Sequence, residues 1–468
     1  MLNKISPRTL KLSLNLLTFS TTRNYTSALY IPGRKAFETF SYLTPHLDYT
    51  KTFAEVQKLQ RNLNLRGINV NAEEIKSAWE FYQNIDANRR TIEDKRVSVA
   101  YRIKKLSKLE FPTPEEEEEL NGLITQGKVL KQDLRAIKEI IWDLDETIIP
   151  RVLQLPNELH EKTPESSDQV LKTVGVKPVK KPGAQDHLTI GKNLGLLEYT
   201  NQFHFYLCDA AALVEVAVQS YASRLLADKG IFRVAGTDFA RSLLVEAAGI
   251  DHEDPFSSFI INNNEGVNVK SVNRLHLVGG ASLISFLALH TRQLVNPKQF
   301  PLRYFATGRN YIPSVKNGMD LGLFGVCQTS AVHCTSMTRD FRSQEYDYEF
   351  QKLIDVVTDL YDGLGIHYRV ILRSAGQLEP AECLRVGFEL WSHYYGEYLE
   401  VGSISMYGDY LSKRLLIAYQ TPIGRAYPAA ISGTVINVNR MLGCLLEQNP
   451  EMFEVPHVLK EFMPVGEI

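Results

Sequence analysis

The sequence has little of what disulfide-stabilised, membrane-spanning and zinc-ribbon proteins depend on. Its 468 residues include only five cysteines and no CxxC pair, which excludes a disulfide scaffold and a zinc ribbon. The longest apolar stretch, Val278 to Leu289, is interrupted by Gly and Ser and is too short to span a bilayer. The net charge of −2, from 52 basic and 54 acidic residues, disfavours a nucleic-acid binder that is basic throughout.

Common signatures of nucleotide-dependent and hydrolytic enzymes are also missing. The chain has no GxxxxGK[ST] phosphate loop, no GxGxxG after a strand, no HExxH and no GxSxG. Cys327, His333 and Cys334 stand close together, but three such residues in a loop are weak evidence for a metal or thiol site. We therefore expect no bound metal. With 44% apolar and 23% charged residues, the chain is instead typical of a globular protein of two to three domains.

Acidic residues are absent from the first 37 positions, which carry six Lys or Arg and many Ser and Thr. A cationic, amphipathic, acid-free start is typical of a mitochondrial transit peptide and not of a secretory signal. We predict a transit peptide at residues 1–25, removed before Thr26, and a location in the mitochondrial matrix. A reducing matrix also suits unpaired cysteines. The alternative is an N-terminus that lacks acids by chance.

Residues 50–164 have the pattern of a long helical arm. Asn71 and Glu74 form an N-cap signature, and apolar residues follow at helical spacing. Pro112 and Pro114 end this helix. The glutamates Glu115–Glu119 then open a second one, where the helix dipole favours negative charge. Two long helices about a tight turn predict an antiparallel coiled coil.

Basic residues cluster on the first helix of this arm, towards its tip, with only Glu93 and Asp94 among them. A projecting basic stretch suits contact with RNA phosphates. The alternative is a solvated helix face that keeps the coil in register. The RNA-binding candidates are Arg89, Arg90, Lys95, Arg96, Arg102, Lys104, Lys105 and Lys108.

Four stretches after the arm carry a resemblance to a known family. They are Leu155-Pro156-Asn157 with His160 and Pro164, Phe300–Tyr304 leading to Asn310-Tyr311, Glu400–Ser405 with Asp409 and Arg414, and Ser432-Gly433-Thr434 leading to Arg440. The first is followed by a linker rich in Lys, Pro and Gly, which we place at residues 165–186. In this arrangement the chain resembles the seryl-tRNA synthetase family over roughly residues 50–460.

The resemblance implies an α+β fold. It consists of a long antiparallel helical coiled-coil arm and, at residues 187–468, a class II synthetase-like antiparallel sheet flanked by helices. It also implies a dimer and a site that joins serine to ATP. By the same resemblance, Glu400, Ser403, Thr434 and Arg440 are the candidates for a residual nucleotide site. The alternative is that Glu400 and Arg440 form a buried ion pair kept for packing.

Several positions to which the resemblance assigns catalytic groups hold other residues. Ile312 and Ser314 stand where the family has the phosphate-binding Arg and the adenine-reading Glu of motif 2. Ser282 replaces the carboxylate that holds the serine ammonium, and Gly325 and His333 replace charged residues of the motif 2 loop. One preorganised donor of this kind is worth roughly 10²–10³ in rate. We therefore predict that the chain forms no seryl-adenylate.

The sequence thus predicts a catalytically inactive mitochondrial paralogue of the family that binds or regulates a partner. We expect no resident cofactor, with at most weak ATP binding. The predicted partners are an active mitochondrial seryl-tRNA synthetase in a heterodimer or a second copy in a homodimer, together with tRNA or another mitochondrial RNA, but no membrane. Such a protein would support mitochondrial translation. Two alternatives stay open: a divergent active synthetase or amino-acid ligase, and a stand-alone mitochondrial RNA-binding protein.

Overall fold

A computed structural model describes residues 26–31, 43–109, 111, 113–179, 183–261, 273–313 and 320–463. The transit peptide predicted for residues 1–25 and the motif 2 position Ser314 lie outside these residues. No helix in the described ranges is long and apolar enough to cross a membrane. The helices are α1 (Thr50–Ala54), α2 (Val56–Leu65), α3 (Ala72–Leu106), α4 (Pro114–Thr147), α5 (Ile149–Leu153), α6 (His187–Asn193), α7 (Asp209–Asp228), α8 (Ser242–Ala247), α9 (Leu283–His290), α10 (Gln344–Leu364), α11 (Tyr410–Leu415), α12 (Val438–Leu446) and α13 (His457–Lys460).

The arm consists of α3 and α4, which lie antiparallel. The Asn71 side chain accepts hydrogen bonds from the first turn of α3, and Thr113 and Glu116 form a reciprocal capping box at the start of α4. Arg102 pairs with Glu119 across the two helices at 2.5 Å. The coiled-coil arm predicted from the sequence is therefore confirmed.

The body is built on an eight-stranded sheet of order β1-β11-β12-β13-β16-β10-β9-β4. All neighbours in it are antiparallel except β4 and β9. Smaller sheets have the orders β15-β14-β8, β2-β3 and β5-β7-β6. The strands are β1 (Gln169–Val174), β2 (Leu197–Asn201), β3 (His204–Leu207), β4 (Phe232–Arg233), β5 (Phe239–Arg241), β6 (Phe259–Ile261), β7 (Leu275–Leu277), β8 (Leu294–Val295), β9 (Leu302–Tyr311), β10 (Gln328–Thr338), β11 (Tyr368–Leu372), β12 (Leu384–Ser392), β13 (Glu397–Gly408), β14 (Ala418–Thr421), β15 (Gly424–Ala426) and β16 (Ala429–Asn437).

The domain boundary predicted at residue 187 is too late. Residues 169–174, which we placed in a linker, form the edge strand β1, and Gln169 and Val174 pair with Leu372 and Tyr368 of β11. Five of the six residues of β1 are exposed, so the strand carries little of the burial pattern by which strands are recognised. The end of the predicted arm also belongs to the body. The Asn157 side chain donates hydrogen bonds to main-chain oxygens of two body segments, at 2.8 and 2.7 Å.

Helices cover one face of the sheet, as the α+β prediction requires. Apolar residues of α7, α10 and α12 pack against alternate residues of the central strands. In this core the rings of Tyr361 and Phe388 stack with centroids 5.2 Å apart. A second core joins the base of the arm to the body and includes Leu144 of α4 and Leu411 of α11. The two cores fix the sheet between its helices and hold the arm at one end.

Two glycines let β13 and β16 approach closely at the centre of the sheet. A Cβ added to Gly433 would overlap the carbonyl oxygen of Ser403 and come within 2.7 Å of the Ile404 Cα. A Cβ added to Gly402 would lie 3.0 Å from the carbonyl oxygen of Thr434. Both obstacles are main-chain atoms of neighbouring strands, which cannot rotate away.

We predict that Gly433→Ala lowers the free energy of unfolding by about 1–3 kcal/mol, as overpacking does. Urea unfolding followed by circular dichroism measures the change. Gly122→Ala is the matched control, because Gly122 lies within α4 with no atom within 4 Å of an added Cβ. That control should stabilise the chain by about 0.5–1 kcal/mol. Equal unfolding midpoints for the two variants would contradict the close approach.

Candidate nucleotide site on the sheet

Ser282 caps the N-terminus of a helix. Its hydroxyl donates to the Gly279 carbonyl oxygen at 2.7 Å and accepts from the Ser285 amide at 3.4 Å. The residue is buried and is the N-cap of α9. A carboxylate predicted by the resemblance is thus replaced by a neutral hydroxyl whose hydrogen bonds are used within the fold.

His333 is buried on β10 among neutral groups. Its Nε2 lies 2.9 Å from the Ser432 hydroxyl and its Nδ1 lies 3.3 Å from the Thr434 hydroxyl. The Phe286 ring of α9 stacks over the imidazole with centroids 5.8 Å apart. Burial lowers the pKa of His333 to about 3. The ring is therefore neutral at physiological pH and offers no charge to a phosphate.

Ile312 and Gly325 have main-chain roles. Ile312 follows β9 and its amide donates to the Cys327 carbonyl oxygen at 3.0 Å, while its side chain is 58% exposed. Gly325 ends a short 3-10 turn, where its amide donates to the Gly322 carbonyl oxygen at 3.0 Å. Neither residue carries a side-chain donor, so neither offers a side-chain group to a phosphate oxygen.

The Glu400 carboxylate is occupied by two arginines. Its Oε2 accepts from Arg373 Nε at 2.9 Å, and its Oε1 accepts from Arg385. Arg373 also binds Asp168 at 2.7 Å and Glu389 at 2.9 Å. These residues form a network of charge-assisted hydrogen bonds on the sheet face opposite α7, α10 and α12. The carboxylate that the resemblance assigns to Mg–ATP is thereby neutralised within the protein.

Arg440 contacts Glu400 through the main chain. Its Nη1 donates to the Glu400 carbonyl oxygen at 2.9 Å and its Nε donates to the Phe324 carbonyl oxygen at 3.1 Å. Burial lowers the pKa of Arg440. The buried ion pair between Glu400 and Arg440, which the sequence left as an alternative, is wrong, because Arg373 and Arg385 already occupy the carboxylate.

The structure brings the four nucleotide-site candidates together. Glu400 and Ser403 lie on β13, Thr434 lies on the neighbouring β16, and Arg440 begins the helix that follows. Sequence reasoning missed Arg373 and the other members of the network. A signal was present in β12, where Arg385, Gly387 and Glu389 alternate with Val386 and Phe388 and so share one face.

A metal site at Cys327, His333 and Cys334 finds no support. His333 and Cys334 are consecutive on β10 and point to opposite faces of the sheet. Burial raises the pKa of Cys334 to about 12. Across the ranges that the structure describes, no group of three or more His, Cys, Asp or Glu is placed to hold a metal ion.

The eight RNA-binding candidates of the arm fall into two groups. Arg89 and Arg90 both pair with Asp86, at 2.7 and 2.8 Å, and Arg102 pairs with Glu119. The others are exposed and form no ion pair with any described residue, and Tyr101, 73% exposed, lies among them. This second group consists of Lys95, Arg96, Lys104, Lys105 and Lys108.

The antiparallel sheet, its flanking helices and the motif remnants on it define a class II aminoacyl-tRNA synthetase core. The family described as the class II tRNA synthetase core domain (G, H, P, S and T) matches residues 273–449. The chain is 31% identical over 424 residues to the serine–tRNA synthetase-like protein Slimp of Drosophila melanogaster, covering 90% of this chain and 88% of that protein. It belongs to the seryl-tRNA synthetase family.

Two further relatives agree with this assignment. The mitochondrial serine–tRNA ligase of Mus musculus is 24% identical over 455 residues, with 93% of this chain and 85% of that protein covered. The crystal structure of seryl-tRNA synthetase from Pyrococcus horikoshii complexed with ATP superposes with a TM-score of 0.74 at 19% identity. The superposition covers 90% of this chain and 100% of the Pyrococcus horikoshii chain. The fold predicted from the sequence is confirmed.

We predict that His333 makes the chain less stable in acid. Its pKa is near 3 in the folded chain and near 6.5 when unfolded. Between these values only the unfolded state takes up the proton, so stability falls as pH falls, by at most about 1.4 kcal/mol per pH unit. Urea unfolding from pH 7 to pH 4 should show a shallower decline for His333→Gln than for the original chain. The exposed His457→Gln is the control, and equal slopes for all three chains would contradict the prediction.

Proposed function

We propose that this member of the seryl-tRNA synthetase family is catalytically inactive and acts by binding a partner. The observation that carries the proposal is the pairing of both Glu400 carboxylate oxygens with Arg373 and Arg385. Mg²⁺ is bound by carboxylate oxygens with near-ideal octahedral geometry. A Mg–ATP complex would therefore have to break two charge-assisted contacts before Glu400 could serve it.

Other features of the site support the same proposal. The exposed Ile312 side chain offers no hydrogen-bond donor, so it cannot stabilise negative charge that develops on the α-phosphate. The Ser282 hydroxyl caps α9 and brings no charge to the ammonium group of serine. His333 is neutral and covered by Phe286. Each loss alone would slow adenylate formation, and together they remove the phosphate and the amino-acid contacts.

We predict no ATP–pyrophosphate exchange by the purified chain with any of the twenty amino acids. The active mitochondrial seryl-tRNA synthetase of the same organism, assayed with serine, is the positive control. Exchange above the enzyme-free blank with any amino acid would contradict inactivity and favour a divergent synthetase or ligase. Exchange by the positive control alone agrees with the proposal.

An exposed row of apolar side chains on the body suits a protein partner. Phe239 and Phe259 flank Leu277 as its cross-strand partners, so the three side chains share one face of the small β5-β7-β6 sheet. The Phe203 ring lies 6.4 Å from that of Phe259. Phe239 and Phe203 are 52% and 55% exposed. Contiguous exposed apolar groups mark interaction sites, and we name this row the phenylalanine face.

We propose that the phenylalanine face pairs with an active mitochondrial seryl-tRNA synthetase. The mitochondrial relative, the acid-free first 37 residues and the family's implied dimer support this heterodimer. A homodimer through the same face is the competing arrangement. In either case the unpaired cations of the arm, with Tyr101 among them, extend away from the body and suit an RNA backbone. Through such contacts the protein would support mitochondrial translation in the matrix.

We predict a one-to-one complex by size-exclusion chromatography with light scattering when the chain and that synthetase are mixed. Phe239→Asp should weaken it at least tenfold, because a buried unpaired carboxylate is costly. Ile423→Asp is the control, since Ile423 is fully exposed on the turn between β14 and β15. A homodimer that does not bind the synthetase would contradict the proposed heterodimer. Salt-dependent RNA binding without any complex would favour a stand-alone RNA-binding protein.

A further inference from the structure

A buried carboxylate in the body holds the segment at residues 26–31. Glu246 of α8 is almost fully buried and accepts three hydrogen bonds from this segment. The donors are the Ser27 hydroxyl at 2.7 Å, the Ala28 amide at 2.5 Å and the Leu29 amide at 2.8 Å. The side chain thus binds consecutive groups of a bent peptide, in which the Tyr30 amide also donates to the Ser27 hydroxyl at 3.0 Å.

A histidine completes these contacts at the beginning of the segment. The Nε2 atom of the buried His252 lies 2.9 Å from the Thr26 carbonyl oxygen and 3.8 Å from Glu246 Oε2. Glu246 therefore accepts hydrogen bonds from main-chain amides of the segment, and His252 donates one to a main-chain carbonyl oxygen. Such paired main-chain contacts are independent of side-chain identity, and selectivity comes from the apolar residues that follow.

Those residues connect the body to the arm. Ala28, Leu29 and Ile31 are buried in the core that joins the arm base to the body. Tyr30 packs against this core, near the Asp145 side chain of α4 and the Tyr82 side chain of α3. Burial and these neighbours raise the pKa of Tyr30, so the phenol stays protonated and can donate to the carboxylate. One short segment is therefore bound to the body by Glu246 and to both arm helices by Tyr30.

We propose that α8 and His252 form an intramolecular peptide-binding site, that its ligand is segment 26–31, and that occupancy fixes the base of the arm on the body. The ligand class is a bent peptide with a small residue followed by a large apolar one. This inference is independent of the inactivity and the partner proposed above. It also sets a limit on maturation, because a cut after Leu29 would remove all three donors to Glu246.

Because Glu246 is buried, the segment is expected to be either fully bound or fully released. A carboxylate buried without partners is strongly destabilising, and the three described groups that donate to Glu246 all belong to the segment. If the segment leaves, Glu246 must become hydrated or protonated, and the core around Leu29 opens. The free energy of releasing the segment therefore includes the loss of the Glu246 contacts as well as the loss of the apolar contacts.

Hydrogen–deuterium exchange on the full-length chain tests the proposal. Glu246→Gln should accelerate exchange at Ala28 and Leu29 at least tenfold. It should also accelerate exchange at the arm base, residues 78–85 and 141–148, and leave the arm tip, residues 95–108, unchanged. Tyr30→Phe removes only the contact with the arm, so it should loosen the arm base while Ala28 and Leu29 stay protected. Glu161→Gln, at an exposed position, is the matched control and should change nothing.

Three results would overturn the proposal. Unchanged protection of Ala28 and Leu29 in Glu246→Gln would show that the carboxylate does not hold the segment. Release of the segment with an unchanged arm base would show that the two are not coupled. If Glu246→Gln does not fold, Tyr30→Phe decides the coupling, because it leaves the buried carboxylate and its donors intact. An unchanged arm base in that variant also overturns the proposal.

Discussion

The sheet face opposite α7, α10 and α12 depends on one constraint, which is the neutralisation of buried charge. The central strands place carboxylates where water is scarce, and each needs a cation to offset its desolvation. In a nucleotide-binding site part of that compensation can come from a bound metal ion. Here arginines on neighbouring strands supply it. The network consists of Arg369, Arg373 and Arg385 with Asp168, Glu382, Glu389 and Glu400.

This internal compensation explains how the fold could persist in a chain that is inactive, as we propose. The helical core on the other face needs only apolar side chains, and those are present throughout α7, α10 and α12. The opposite face needs only arginines in contact with its carboxylates. Because the two requirements are separate, Ile312 and Ser282 can stand at their positions without cost to the sheet. Ser282 gains a structural role as the cap of α9.

The sequence was informative where a signal is local. Asn71 caps α3 as predicted, the glutamate run opens α4 as predicted, and the motif remnants led to the correct family and fold. It was uninformative where the contact partner is distant along the chain. Arg373 reaches Glu400 across two strand pairings, and β1 joins the sheet at an exposed edge that leaves no periodic pattern. The basic residues of the arm show the same limit, because their count was visible but the pairing of Arg89 and Arg90 with Asp86 was not.

The position of β1 has a consequence for how the molecule can be divided. This strand precedes the body in sequence, yet it covers the outer edge of β11, whose residues Tyr368, Val370 and Ile371 are buried. A body separated at residue 187 would present a row of unpaired main-chain groups beside apolar side chains, which is a template for aggregation. The chain upstream of residue 187 is therefore a protective edge for the sheet as well as a link to the arm, so arm and body are not separable modules.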